Sequence, residues 1–150
     1  MFLKNRIFQI CVFVLTTAIF TGCGAKGEKF SGFEVPKDNN AMLYVYRPSS
    51  IVGGGVYYDV KVTTATDKER NLGLLKNGGY LKSELKPNEE VEIWQESIES
   101  KTSVTIETKP KQTYCLKGDI GIGFIVGRPH LKQVDMPTCQ KEIIETKLSY

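Results

Sequence analysis

Short runs rich in Val, Ile, Thr and Tyr recur from residue 41 onward, and turn signals separate one run from the next. Runs of this kind, at intervals of about ten residues, predict a mainly β domain, either a sandwich or a barrel. The first run, residues 41–47, is apolar on both faces, which is typical of a central strand. The expected strands are residues 41–47, 56–63, 72–75, 79–85, 90–96, 101–108, 112–117 and 120–126.

The last part of the chain has a different pattern. Ile143, Ile144 and Leu148 recur at helical spacing, and Thr138 is in a position to cap a helix. We therefore expect one short C-terminal helix over residues 139–148, packed on the sheet.

The first 22 residues have the pattern of an export signal. Lys4 and Arg6 precede an almost uninterrupted apolar run, residues 7–20, which is shorter than the roughly 20 residues that a permanent spanning helix needs. The run closes on Phe20-Thr21-Gly22-Cys23, which resembles the lipobox of bacterial lipoproteins, although Phe20 stands where Leu is usual. The resemblance implies that the signal peptide is cut before Cys23 and that Cys23 carries acyl chains. The alternative is a membrane anchor that is never cut.

An acylated Cys23 predicts a membrane partner, since two or more acyl chains give stable anchoring. Gly24 follows Cys23 where an Asp would favour retention in the inner membrane, so the same resemblance implies the outer membrane, facing the periplasm. Residues 23–40 are expected to form a lipidated, flexible tether, and residues 41–150 one folded domain. Phe30 and Phe33 are the exceptions in the tether, and we expect them to dock on the domain rather than dip into lipid headgroups.

The cysteines that remain beyond Cys23 are Cys115 and Cys139. An exported pair favours a disulfide, because that compartment is oxidising. The alternative is two buried free thiols.

The sequence argues against several other chemistries. The net charge of +3 falls to about +1 when Lys4 and Arg6 leave with the signal, which argues against a nucleic-acid partner. His130 is the only histidine, so no metal site, cofactor or multi-histidine catalytic site is expected. The glycines between residues 118 and 127 do not have the spacing of a phosphate-binding loop, and the carboxylates near residues 89–99 lie beside turns. We therefore expect no catalytic residues.

Four aromatic residues are candidates for a sugar- or peptide-binding platform, which would bind an envelope protein or a glycan. The alternative is that they pack in the core or as cross-strand pairs. They are Tyr57, Tyr58, Tyr80 and Trp94.

The pattern from Ala41 onward resembles the DUF2846 family of small bacterial lipoproteins and exported proteins. The residues that carry this resemblance are Ala41-Met42-Leu43-Tyr44-Val45-Tyr46-Arg47-Pro48 with the Gly-rich loop after them, Leu72-Gly73-Leu74, Asn77-Gly78-Gly79-Tyr80, Pro87 and Tyr114. Asn88 stands where the family commonly has Gly, and Asn tolerates a positive φ better than most residues. The resemblance implies a compact antiparallel β-sandwich with a PEGA-like or immunoglobulin-like pattern, and it transfers no catalytic residues.

Three functions follow from these observations. The first is a lipid-anchored, non-enzymatic binding or structural module of the cell envelope. The second is an exported thiol-dependent hydrolase that uses Cys115, His130 and Asp119. The third is an inhibitor lipoprotein that blocks an enzyme with the loop of residues 49–55.

Overall fold

The computed structural model describes residues 24–150, and these fold into two stacked β-sheets with one short helix. The mainly β sandwich predicted from the strand pattern is confirmed, as is the presence of a short helix near the end of the chain. In chain order the elements are β1 (Ala41–Arg47), β2 (Tyr58–Thr64), β3 (Arg70–Leu75), β4 (Gly79–Leu85), β5 (Glu90–Glu96), β6 (Lys101–Glu107), β7 (Thr113–Gly121), β8 (Arg128–Val134), α1 (Met136–Ile143) and β9 (Lys147–Leu148).

The first sheet has the strand order β8-β7-β1-β4-β9, and the second has the order β3-β2-β5-β6. Neighbouring strands are antiparallel except for two pairs in the first sheet, β1 with β7 and β4 with β9. The sandwich is therefore rich in antiparallel pairs without being purely antiparallel.

Strand β1 is buried along its whole length, as expected for a central strand. Leu43 and Val45 face the core between the sheets, whereas Tyr44 and Tyr46 face the outer side of the first sheet. The alternation of side chains along a strand therefore gives the first sheet two buried faces.

The outer side of the first sheet is covered by α1 and by Phe30 and Phe33. The attachment of these two residues differs from the flexible tether that the sequence predicted for residues 23–40. Phe30 and Phe33 pack edge-to-face against Tyr44, with ring centroids 5.9 and 5.0 Å away. Phe30 also packs edge-to-face on Tyr80. The two phenylalanines thus dock on the domain as predicted. Their rings pack on Tyr44 and Tyr80, and this contact holds in place a segment whose polar, glycine-rich composition predicts a free tether.

Hydrogen bonds extend this attachment along the segment. The amides of Gly27 and Phe30 donate to the carbonyls of Leu148 and Thr146 at 3.1 and 2.9 Å. Residues 25–30 therefore run beside β9 at the edge of the first sheet.

Two sequence predictions are wrong in this half of the chain. Residues 120–126 do not form a strand of their own: β7 continues through Gly118 to Gly121, a loop follows, and the last long strand is β8. β7 continues through Gly118 because its pairing with β8 runs on to Gly121. Gly118 suits this position because a side chain there would collide with Leu75.

The helix also lies earlier than predicted. Its N-cap is Asp135, whose carboxylate accepts a hydrogen bond from the Thr138 amide at 2.8 Å, so Thr138 lies inside the helix. The helix ends at Ile143, because Thr146 turns back to bond the Ile143 carbonyl and Lys147 joins the sheet.

The predicted bridge between Cys115 and Cys139 is present and joins β7 to α1, with the Cα atoms 6.2 Å apart. Both cysteines are buried. Glu142 supports the same attachment, because its carboxylate accepts hydrogen bonds from Tyr46 Oη at 2.7 Å and Lys117 Nζ at 2.8 Å.

Candidate functional site

The odd-numbered strands β1, β3, β5 and β7 all run toward the same end of the sandwich, so the loops that follow them meet there. We call this region the loop end and define it as residues 48–57, 76–78, 97–100 and 122–127. Ten large apolar side chains are exposed within residues 24–150, and seven of them lie at the loop end. They are Ile51, Val52, Tyr57, Ile98, Ile122, Phe124 and Ile125.

Arg47, at the end of β1, holds the first of these loops in place. Its side chain is 2% exposed, and its two terminal nitrogens donate to the carbonyls of Gly53 and Val56 at 2.6 Å each. Burial lowers the pKa of the guanidinium, which Asp119 partly offsets, but an arginine remains charged in proteins. The loop therefore closes over a buried cation.

Asn77 connects the same loop to the turn between β3 and β4. Its side chain accepts a hydrogen bond from the Ser50 amide at 2.9 Å and donates to the Ser50 carbonyl at 3.0 Å. Asn77-Gly78 is a hairpin-type turn signal in the sequence, but it closes no hairpin here, because β3 and β4 belong to different sheets. The turn instead orders the neighbouring loop through Ser50.

Glu99 performs the equivalent role for residues 122–127. Its carboxylate accepts hydrogen bonds from the amides of Phe124, Ile125 and Val126, and from Arg128 Nε at 3.1 Å. These donors, the Val126 and Ile125 amides foremost, lower the pKa of Glu99 to about 2. The charged carboxylate is therefore the form that orders this loop.

We expect the order of residues 122–127 to depend on pH through Glu99. Its pKa is lowered in the folded protein, so its contribution is complete above the unfolded value of about 4.3 and is lost as the pH falls toward 2. Hydrogen-exchange protection factors of the Phe124 and Val126 amides should fall over this range. In Glu99→Gln they should already be low at pH 7.

Glu96→Gln is the matched control for this experiment. Glu96 is exposed and lies on the adjoining strand, β5, so its substitution should leave the protection of Phe124 and Val126 unchanged. Equal protection in Glu99→Gln and Glu96→Gln at pH 7 would contradict the assigned role of Glu99.

A groove of about 620 Å³ lies between the two ordered loops. Val52, Gly53 and Val56 line one side, and Ile122 and Ile125 line the other. Apart from backbone amides and carbonyls, the polar groups of its lining residues are the hydroxyls of Tyr57 and Tyr58. The groove therefore suits an apolar group and presents no pair of acid and base side chains.

The four aromatic residues considered as a binding platform do not form one surface. Tyr80 is buried on the outer side of the first sheet, whereas Tyr57, Tyr58 and Trp94 line a groove of about 230 Å³ beside the second sheet. The ring of Trp94 is covered by Lys61 and Lys101, whose amino groups lie 4.7 and 4.4 Å from its centroid. This packing fits the alternative interpretation, in which Tyr80 and Trp94 are structural.

The three residues considered for a thiol hydrolase are not brought together. Asp119 and His130 lie opposite each other on β7 and β8. Cys115 is four residues from Asp119 along β7, about 13 Å at the rise of a strand, and its sulfur is bonded to Cys139. The disulfide leaves no thiolate at Cys115 to act as a nucleophile.

Cys23 lies outside the described residues, so its acylation stays a prediction. Between residues 24 and 150 no helix is long and apolar enough to cross a membrane. No group of three or more His, Cys, Asp or Glu side chains in that same range is placed to hold a metal ion.

Sequence reasoning missed Arg47 and Glu99, the two residues that order the loop end. Arg47 was noted only as part of the resemblance to a family, and its position at the end of a wholly apolar strand was the available signal. The sequence around Glu99 predicts a solvated carboxylate beside a turn, because the backbone amides that bind it lie some 25 residues away.

Comparison with known proteins adds no relative: no family model, curated protein or solved structure matches the chain. The resemblance to the DUF2846 family therefore stays a prediction.

Proposed function

We propose that this protein is a lipid-anchored, non-enzymatic binding or structural module of the bacterial cell envelope. In this proposal residues 1–22 are a signal peptide, and Cys23 is the acylated first residue of the mature protein. The observation that carries it is the sequence Phe20-Thr21-Gly22-Cys23 at the close of a positively charged and then apolar segment. The DUF2846-like pattern of the domain and the outer membrane as its location, on the periplasmic side, belong to the same proposal.

Two features of the fold support it. The buried Cys115–Cys139 bridge is the kind of cross-link that persists in an exported domain. The chain is also held to the domain close to the proposed cleavage site, because the Ala25 amide donates a hydrogen bond to the Asn77 carbonyl at 3.0 Å.

The non-enzymatic part of the proposal has its own support. Cys115 is bonded to Cys139, and the groove at the loop end is lined by apolar side chains and backbone groups. Those properties suit binding by shape and apolar contact.

Cys23→Ser should abolish both acylation and cleavage. The intact mass of the protein extracted from membranes should then include residues 1–22 and no acyl chains, whereas the wild-type mass should start at Cys23 with acyl chains added. Cys11→Ser is the matched control, because Cys11 lies inside the signal and should leave the acylated mass unchanged. An unacylated, uncut wild-type protein would overturn the proposal.

A further inference from the structure

Two segments of the loop end are apolar in sequence as well as on their surface. Residues 48–57 and 122–127 contain no charged residue at all. Phe124 is 96% exposed and Ile122 is 87% exposed. Side chains of this size and exposure, grouped at one end of a domain, mark a surface that meets a partner or a membrane.

The opposite end of the sandwich has the reverse character. Its turns, residues 65–69, 86–89 and 108–112, contain Asp67, Lys68, Glu69, Lys86, Glu89, Lys109 and Lys111. The two ends therefore differ in the way that the buried and the solvated ends of a membrane-associated domain differ.

The apolar side chains are displayed by ordered loops. Arg47 bonds two carbonyls of the first loop, and Glu99 bonds three successive amides of the second. Both charges thus hold the backbone from within while the apolar side chains remain outside.

Gly24, the residue that follows the proposed acylation site in the sequence, lies at this same end. A groove of about 490 Å³ brings together residues near the anchor and residues of the first loop. It is lined by Gly24, Ala25, Ser49, Gly54, Gly55, Asn77, Gly78, Glu145 and Lys147. Gly55 also lines the apolar groove described above, so the two grooves adjoin. Gly24, which follows Cys23 in the sequence, therefore lines this surface.

We propose that the loop end is a membrane-docking surface, in which Ile51, Ile122, Phe124 and Ile125 enter the interface of the bilayer that holds the acyl chains of Cys23. This inference rests on the proposed function, because acylated Cys23 fixes which end of the domain faces the lipid. A bilayer is favoured over a protein partner because the acyl chains of Cys23 would keep the loop end next to the membrane surface.

The attachment of residues 25–30 beside β9 strengthens the inference. With a flexible tether the domain would sample every orientation above the membrane. With this segment bound to the sheet, the apolar loops are held toward the lipid.

The experiment uses the acylated full chain, purified from membranes and reconstituted into vesicles of phosphatidylethanolamine and phosphatidylglycerol. Phe124→Trp places a fluorophore at the loop end, and Lys109→Trp places one in an exposed turn at the opposite end. Both variants also contain Trp94, so the emission spectrum of the parent protein is subtracted from the spectrum of each variant. In vesicles whose acyl chains are brominated, Phe124→Trp should show a blue shift and a loss of intensity, and Lys109→Trp neither.

The intact mass of the same samples separates the two proposals. An acylated protein in which Phe124→Trp is unquenched would overturn membrane docking and leave the lipoprotein intact. An unacylated protein would overturn the proposed function whatever the fluorescence shows, and quenching in that sample would support docking by the loops alone. Phe124→Trp can instead be compared in native envelopes and in vesicles that contain no other protein. A blue shift in the envelopes alone would place a partner protein at the loop end and overturn docking to lipid.

Discussion

Replacing Cys115 and Cys139 together by alanine is expected to lower the free energy of unfolding by about 3 kcal/mol, the value for a loop of this size in the chain-entropy model. The two cysteines are 24 residues apart in sequence, and their bond ties α1 to β7. Without it, the helix is held by the contacts of Ile143 and by the bonds of Glu142 to Tyr46 and Lys117. Urea unfolding at neutral pH measures the difference.

The wild-type protein supplies the control for this experiment. A reductant strong enough to open the bridge should destabilise the wild type by a similar amount and leave the double variant unchanged. A double variant as stable as the oxidised wild type would show that the bridge contributes nothing to stability.

Arg47→Met is expected to cost about 3 kcal/mol, because two hydrogen bonds from a charged donor are lost together. The substitution also removes the hydrogen-bond donor of the Gly53 and Val56 carbonyls, which lie over the buried position of the Arg47 side chain. We expect the loop of residues 48–57 to lose its order along with the stability. Unfolding in urea measures the first effect, and hydrogen exchange of the Val56 amide measures the second.

Arg70→Met is the matched control for Arg47→Met. Arg70 is exposed on β3, where its side chain bonds Ser83 Oγ at 2.9 Å. Its loss should change stability by well under 1 kcal/mol, as exposed polar contacts do. Equal losses in the two variants would contradict the role assigned to Arg47.

The strands that sequence predicted well are those whose pattern is set by local properties. Residues 41–47, 79–85 and 90–96 were predicted with the bounds that the structure shows. Each has apolar residues that face the core and a turn signal beside it, such as Pro48 after β1 or Asn77-Gly78 before β4. Neighbouring residues alone therefore specify these strands.

Residues 120–134 were predicted poorly because their structure depends on distant partners. An apolar run from Ile120 to Val126 has the composition of a strand, but the amides of Phe124 to Val126 bond Glu99 in place of a neighbouring strand. The more polar stretch from Arg128 to Val134 is a strand because it pairs with β7 at the edge of the sheet. Tertiary context overrides composition in both segments.

The same reasoning explains the loop end. Its apolar residues are visible in the sequence, but their exposure is not, because the apolar composition of residues 122–127 equally suits a buried strand. The cysteine pair is the opposite case, since only one pairing was available to Cys115 and Cys139 beyond Cys23.

The pairing of residues 25–30 with residues 146–148 sets the order in which the domain is completed. Lys29 and Glu145, which form an ion pair at this edge, are 116 residues apart in sequence. A chain is synthesised from its N-terminal side, and contacts between distant residues form slowly. Phe30 is therefore among the first residues of the domain to be made and among the last to find all its neighbours. During that interval the first sheet has an unfinished edge, which can pair with another chain.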